Sequence, residues 1–224
     1  MKLGKGAEFL ITAKGQEPPA HMPQVKRSLA LMYAVNPFGS DHESSDHDST
    51  YEEDSYKAFE DRYESLGLNN PQPAQNLDPA KVEFARITQQ FFGMLDSVNL
   101  CHFVWGVSWP LYGPEQAADL VKAVTGWDVT LQELLEVGEK RVNMMRAFNA
   151  REGIARDQDK LPAKFFDRPL KGGPSDGVKV DKAQFEAALP EYYRQCGWDE
   201  SSGIPKRETL ERLDLKWVAD QLGI

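Results

Sequence analysis

The stretch Asp78-Pro79-Ala80-Lys81-Val82-Glu83-Phe84-Ala85-Arg86-Ile87-Thr88-Gln89-Gln90-Phe91-Phe92-Gly93-Met94-Leu95-Asp96 decides the fold class. An aspartate accepts the orphan amide hydrogens of a first helical turn, and a proline at the first helical position gives up no hydrogen bond, so a helix starts at Pro79. Phe84, Ile87, Phe91 and Leu95 step by three or four residues, which places them on one core-facing side and predicts a helix reaching about Asp96. No segment downstream alternates with the period of two that a half-buried strand requires. The chain therefore reads as all-α, mainly helical, with one short N-terminal strand.

Downstream, Gly113-Pro114 opens a helix with Ala117, Leu120, Val121 and Val124 on one side, and Gly126 closes it. Thr130 to Glu133 fits a capping box, in which hydroxyl and carboxylate satisfy each other's backbone amides, and the stripe from Leu131 to Phe148 extends that helix to near Gly153. Residues 154 to 180, rich in Gly, Pro and Lys, are expected to run extended over the surface. Asp181 caps a helix carrying Phe185, Leu189 and Tyr192, Gly197 stops it, and two short helices at about 206 to 213 and 216 to 222 end the chain.

Upstream, residues 69 to 77 form a linker, and Tyr56, Phe59, Tyr63 and Leu66 have helical spacing that Gly67 terminates. Residues 38 to 55 carry hardly an apolar side chain and read as a loop. Leu29 to Val35 form a short buried helix broken by Asn36-Pro37. Residues 8 to 13 are apolar and partly β-branched, end at Gly15 with Pro18 and Pro19, and form the expected strand, whose mate is not found in this chain.

Composition narrows the function. Apolar residues make up 41% of the chain and charged residues 27%, which is ordinary for a globular protein. A net charge of -9, spread along the chain, repels a phosphate backbone and argues against nucleic acid. No run approaches the roughly 18 apolar residues that span a bilayer, and the start lacks a secretory apolar core, so a cytoplasmic protein without a membrane segment is expected. Cys101 and Cys196 are too few for a disulfide framework and read as free thiols or a ligand.

Two constellations can carry chemistry. Gly39-Ser40-Asp41-His42-Glu43-Ser44-Ser45-Asp46-His47-Asp48 holds two Asp-His pairs, suited to proton transfer or to a divalent metal, or else is a solvated acidic loop. Asp96-Ser97-Val98-Asn99-Leu100-Cys101 places a thiol where a helix gives way to a loop, able to ligate iron or else to sit buried as a small hydrophobe. Trp105, Trp109 and Trp127 are core filling or a pocket lining, and Glu17 is an exposed acid among turn formers. There is no phosphate-binding loop, nucleophile elbow or His-Glu-x-x-His motif.

Seven motifs in register across about 190 residues then carry a resemblance. They are Lys14 to His21, Gly39 to His42, Asp96 to Phe103, Ala123 to Asp128, Phe148 to Gly153, Leu161 to Phe166 and Tyr192 to Asp199. Together they resemble the C-terminal part of the aldehyde ferredoxin oxidoreductase family. That resemblance implies a tungsten (or molybdenum) bis-pterin beside a 4Fe-4S cluster, a small aldehyde substrate oxidised to a carboxylic acid, and ferredoxin as electron partner. It implies that Asp96 and Leu100 take the pterin-binding positions, that Cys101 supplies one cluster thiolate, and that His42 transfers a proton or polarises the aldehyde oxygen. Residues 1 to 70 correspond to part of the middle domain and 71 to 224 to the C-terminal helical domain.

The departures are Asn99 for the usual Gly, Phe38 for an Arg before Gly39, and Gln24 where Pro-Arg is commonly completed; they put pterin or substrate contacts in question. The family's Cys-x2-Cys-x3-Cys segment and sheet domain lie upstream of anything present here. The chain alone is therefore expected to be inactive, to need the N-terminal half of the enzyme as partner, and to self-associate through apolar surface left bare. The alternative is a non-catalytic helical relic or interaction module of the same fold.

Overall fold

The computed structural model describes residue 6 and residues 9 to 224. Among the described residues ten α-helices follow in order: α1 (Arg27–Val35), α2 (Glu53–Ala58), α3 (Glu60–Ser65), α4 (Pro79–Ser97), α5 (Pro114–Thr125), α6 (Leu131–Arg151), α7 (Lys164–Asp167), α8 (Lys182–Cys196), α9 (Arg207–Arg212) and α10 (Lys216–Leu222). Among the described residues β-structure is confined to three isolated bridges.

The caps read from sequence are formed. Asp78 accepts from Lys81 N at 3.0 Å and Asp181 from Gln184 N at 2.9 Å. Thr130 and Glu133 exchange their bonds as a capping box. Gly126 and Gly197 end their helices at φ 72° and 70°, the left-handed conformation that costs glycine nothing.

Three expectations need correction. The strand at 8 to 13 is absent among the described residues, Glu8 lying outside them. The chain folds back on itself, with Ala13 and Gln16 exchanging backbone bonds of 3.0 Å across Lys14 and Gly15, both at positive φ, as a two-residue hairpin turn requires. Pro18 and Pro19 have no N–H to continue the ladder. The loop at 38 to 55 and the helix after it become a 3-10 turn at Asp48–Thr50 followed by α2 and α3, which break apart at Phe59. Residues 154 to 180 do not lie extended over the surface. They form short turns and α7, because Leu161, Phe165 and Val180 are buried in the core.

α4 is buried on more than one side. Phe84, Ile87, Phe91 and Leu95 belong to a core shared with Tyr51, Tyr63, α5 and the start of α6. Val82 and Ala85 enter a second core with α1, Phe185, Tyr192 and Trp198. α4 and α6 meet closely at Gly93 and Gly138, where a Cβ on Gly138 would collide with the Gln90 carbonyl oxygen. α1 is buried along its whole length, so the chain entering and leaving it is fixed against the same core.

Candidate functional site

The loop leaving α1 is held from three directions. Asn36 Nδ2 donates to Gly39 O at 3.2 Å and Ser44 Oγ at 3.1 Å, and Asn149 Nδ2 on α6 donates to Pro37 O at 2.6 Å. Gly39, at φ 94°, packs so tightly on the 13 to 16 turn that a Cβ would collide with the Ala13 carbonyl. That turn is itself anchored by Lys14, which donates to Asp159 at 2.7 Å, and Asp159 is also gripped in a bidentate pair by Arg146. Further along, Asp48 is fully buried. It accepts from Ser28 N at 2.9 Å, Ser28 Oγ at 2.6 Å and Leu29 N at 3.2 Å, which satisfies the first turn of α1, and Lys81 Nζ lies 3.3 Å away.

This scaffold gathers all four histidines of the chain around one cavity of about 590 Å3. His21 stacks on His42 with centroids 4.5 Å apart, and His47 meets His21 edge-on at 4.6 Å. Lys26 Nζ lies 2.6 Å from His47 Nδ1 and 3.3 Å from His21 Nδ1. Burial first, then the Lys26 charge, pulls the His47 imidazole down to about 4, and the same two causes lower His21. Burial pushes the Asp46 carboxyl up to about 6, against the stabilising bond it accepts from His47 N at 2.8 Å.

On the opposite side, carboxylates alternate with imidazoles. His42 Nε2 is 2.9 Å from Glu43 Oε1, and Glu43 Oε2 is 3.9 Å from His102 Nδ1. His102 Nε2 lies 3.1 Å from Asp96 Oδ1, a close contact without the alignment of a hydrogen bond. Asp96 in turn pairs with Arg141 at 2.7 Å. The His102 ring stacks on Phe92 at 4.6 Å. Phe103 and Trp109 line the cavity yet remain about four-fifths exposed, so its mouth is apolar and open.

Residues 1–215 match the family model described as aldehyde ferredoxin oxidoreductase, domains 2 & 3. The chain belongs to the aldehyde ferredoxin oxidoreductase family. A tungsten-containing aldehyde ferredoxin oxidoreductase of Pyrococcus furiosus is 32% identical over 93% of this chain and 31% of its own length. Its namesake in Thermococcus kodakarensis is 29% identical over the same shares. An aliphatic sulfonate oxidoreductase, WOR-like subunit, of Pyrococcus furiosus is 30% identical over 61% of this chain and 21% of its own. The chain thus spans about a third of the length of the curated relatives it matches. In fold it is similar to a chain of the active site complex BamBC of benzoyl coenzyme A reductase in complex with 1,5-dienoyl-CoA. The TM-score is 0.64 and the identity 18%, over 88% of this chain and 31% of that one.

Within this family fold, the four residues singled out by the resemblance have distinct surroundings. His42 lines the cavity. Asp96 stands behind it and touches it through His102. Leu100 is partly buried against the α4 core, and Cys101 is an exposed free thiol adjoining His102 in sequence but outside the cavity lining. α4 ends above them in a Schellman motif: Leu100 N donates to Leu95 O at 2.9 Å and Asn99 N to Asp96 O at 3.3 Å, with Asn99 at φ 58°. Asn99 thus holds the left-handed conformation that glycine adopts most readily, since asparagine is among the few side chains that tolerate it.

Sequence reasoning missed Lys26 and gave no role to His21 and His102, although both histidines stand in the quoted motifs. The residue type was the available signal, since all four histidines converge here. Among the described residues no group of three or more His, Cys, Asp or Glu is arranged to hold a metal ion. The aspartates of the acidic loop are committed elsewhere, Asp41 to Ser44, Asp46 to His47 N, and Asp48 to α1 and Lys81. Of the three tryptophans considered, Trp109 lines the cavity and Trp127 is exposed, while the fully buried tryptophan is Trp198. No described helix is long and apolar enough to cross a membrane.

Proposed function

We propose that this chain forms one wall of the cofactor and substrate cavity in a tungsten-dependent oxidoreductase that converts aldehydes to carboxylic acids and delivers the electrons to ferredoxin. The observation that carries the reading is the meeting of His42, His102 and, through His102, Asp96 at one cavity, with the exposed thiol of Cys101 next to His102 in the chain. Residues 1 to 70 belong with the enzyme's middle domain and 71 to 224 form its C-terminal helical domain, working in the cytoplasm.

The residues present fit their share of the cofactors and no more. Cys101 is accessible and able to give one thiolate to a 4Fe-4S cluster. Cys196 is buried in the core, which pushes its thiol up to about 12 and keeps it away from a surface cluster, so the other cluster cysteines would come from the rest of the enzyme. Asp96 and Leu100, at the C-terminal end of α4, would hold a pterin. When bound, the tungsten bis-pterin supplies two-electron redox chemistry and the cluster single-electron transfer.

His42 is the proton-handling group. Its Nε2 lies 2.9 Å from Glu43 Oε1, a contact that would hold the ring while the imidazole takes a proton or donates one to a carbonyl oxygen. The exposed Phe103 and Trp109 at the mouth are the surface on which the rest of the enzyme closes and excludes water.

The test is to produce the chain together with a polypeptide carrying the remaining length of its relatives, then measure bound tungsten, iron and aldehyde-dependent dye reduction. All three are expected in the complex and none in the chain alone. A folded complex devoid of metal and activity would overturn the proposal in favour of a non-catalytic module.

A further inference from the structure

Among the described residues Lys26 has no carboxylate at bonding distance. The two nearest acids are occupied: Asp48 by Ser28, Leu29 and Lys81, and Asp46 by His47 N and, more loosely, Ser108. Glu43, the remaining acid of the cavity, lies against His42, 2.9 Å from its Nε2. Lys26 Nζ is instead approached by Nδ1 of His21 and Nδ1 of His47. With Lys26 as an ammonium, which only donates, both nitrogens present lone pairs, which keeps both rings neutral with the proton on Nε2. The third N–H of Lys26 has no acceptor among the described residues.

We infer that Lys26, seated between His21 and His47, is an anion-recognition group that makes the cavity select a ligand bearing a carboxylate. Nearby the walls are aromatic, with Phe92, Phe103 and Trp109, so the complementary molecule has an apolar body and one anionic end. A carboxylate accepting from Lys26 would form a charge-assisted bond and offset the burial that lowers this ammonium's pKa. That carboxylate is either the acid product of the proposed oxidation or an acidic substituent on the substrate. The inference deepens the proposed function by naming a ligand class, and it rests on that reading only in treating the cavity as substrate space.

The test uses the 224-residue chain without metal or partner, so its outcome is separable from that of the activity assay. Benzoate, benzamide and inorganic phosphate are titrated by calorimetry and by following the histidine ring signals in NMR. Benzoate is expected to bind and to shift the His21 and His47 resonances, and benzamide, equal in shape but neutral, to bind at least roughly tenfold more weakly, the equivalent of about 1.4 kcal/mol. Lys26→Met should abolish the preference and Lys26→Arg preserve it, with circular dichroism confirming that both fold. Competition by benzyl alcohol assigns the carboxylate to the product end, and simultaneous binding assigns it to a remote substituent. Equal binding of benzoate and benzamide to the unmodified chain, or phosphate binding as well as benzoate, would overturn the inference.

Discussion

Lys81 Nζ lies 3.3 Å from Asp48 Oδ1, with neither side chain exposed. The pair ties α4 to the loop that carries His42 and His47, because the other bonds of Asp48 secure the first turn of α1. Removing one member of a buried pair leaves an uncompensated charge, at a cost of about 3 to 5 kcal/mol. Lys81→Met is expected to lose stability on that scale in urea unfolding. Lys81→Met combined with Asp48→Asn should recover part of the loss, whereas purely additive losses would contradict a coupled pair.

The closest helix contact makes a separate prediction. Gly138 sits mid-helix in α6 against the Gln90 carbonyl, so Gly138→Ala must push α4 and α6 apart. Alanine gains about 1 kcal/mol in helix propensity, but overpacking costs about 1 to 3 kcal/mol or more. A net destabilisation is expected in thermal unfolding. Gly93→Ala should be milder, because its Cβ would stand 3.2 Å from Gly138 O rather than inside it.

Helix starts and stops were legible in the sequence because they depend on neighbours: Asp78 caps an amide three residues away, and Thr130 pairs with Glu133. The acidic loop was not legible for the opposite reason. Asp46 and Asp48 look like solvated acids, yet they are buried by partners at Ser28, Lys81 and Ser108, which no local pattern connects to them. His42, Asp96 and Cys101 were singled out by motif; that His21 and His102 share a cavity with His42 is a consequence of tertiary packing. Lys26 carried no motif at all. The expected strand failed because apolar character at 9 to 13 says nothing of the tight reversal at Lys14-Gly15.

Asp46 and His47 pull stability in opposite directions over one pH window. Asp46 titrates at about 6 in the fold against an ordinary 3.8, so the folded state holds a proton that the unfolded chain has released, and this contribution to stability falls as pH rises from about 4 to 6. It amounts to at most about 3 kcal/mol. His47 titrates at about 4 against an ordinary 6.5, so the unfolded chain binds a proton that the fold refuses, and stability falls as pH drops from about 6.5 to 4. Asp46→Asn should therefore leave a protein that weakens on acidification through this range, and His47→Gln one that strengthens. Unfolding free energies measured from pH 4 to 7 with the same slope in both variants would contradict the assignment.

Asn99, at φ 58°, tests the helix end beneath Cys101. Asn99→Gly should change the melting temperature little. Asn99→Val should lose about 1 to 2 kcal/mol, because a β-branched side chain is strained in the left-handed conformation. Equal tolerance of both replacements would mean that the turn is not held in that geometry.

The most direct measurement of the central claim is aldehyde-dependent dye reduction by His42→Gln, in the chain assembled with the rest of its enzyme, alongside tungsten and iron content. General acid-base groups contribute about 100- to 10,000-fold, so the rate is expected to fall by at least about 100-fold while both metals stay bound. Full activity in a metal-replete His42→Gln assembly would contradict the account.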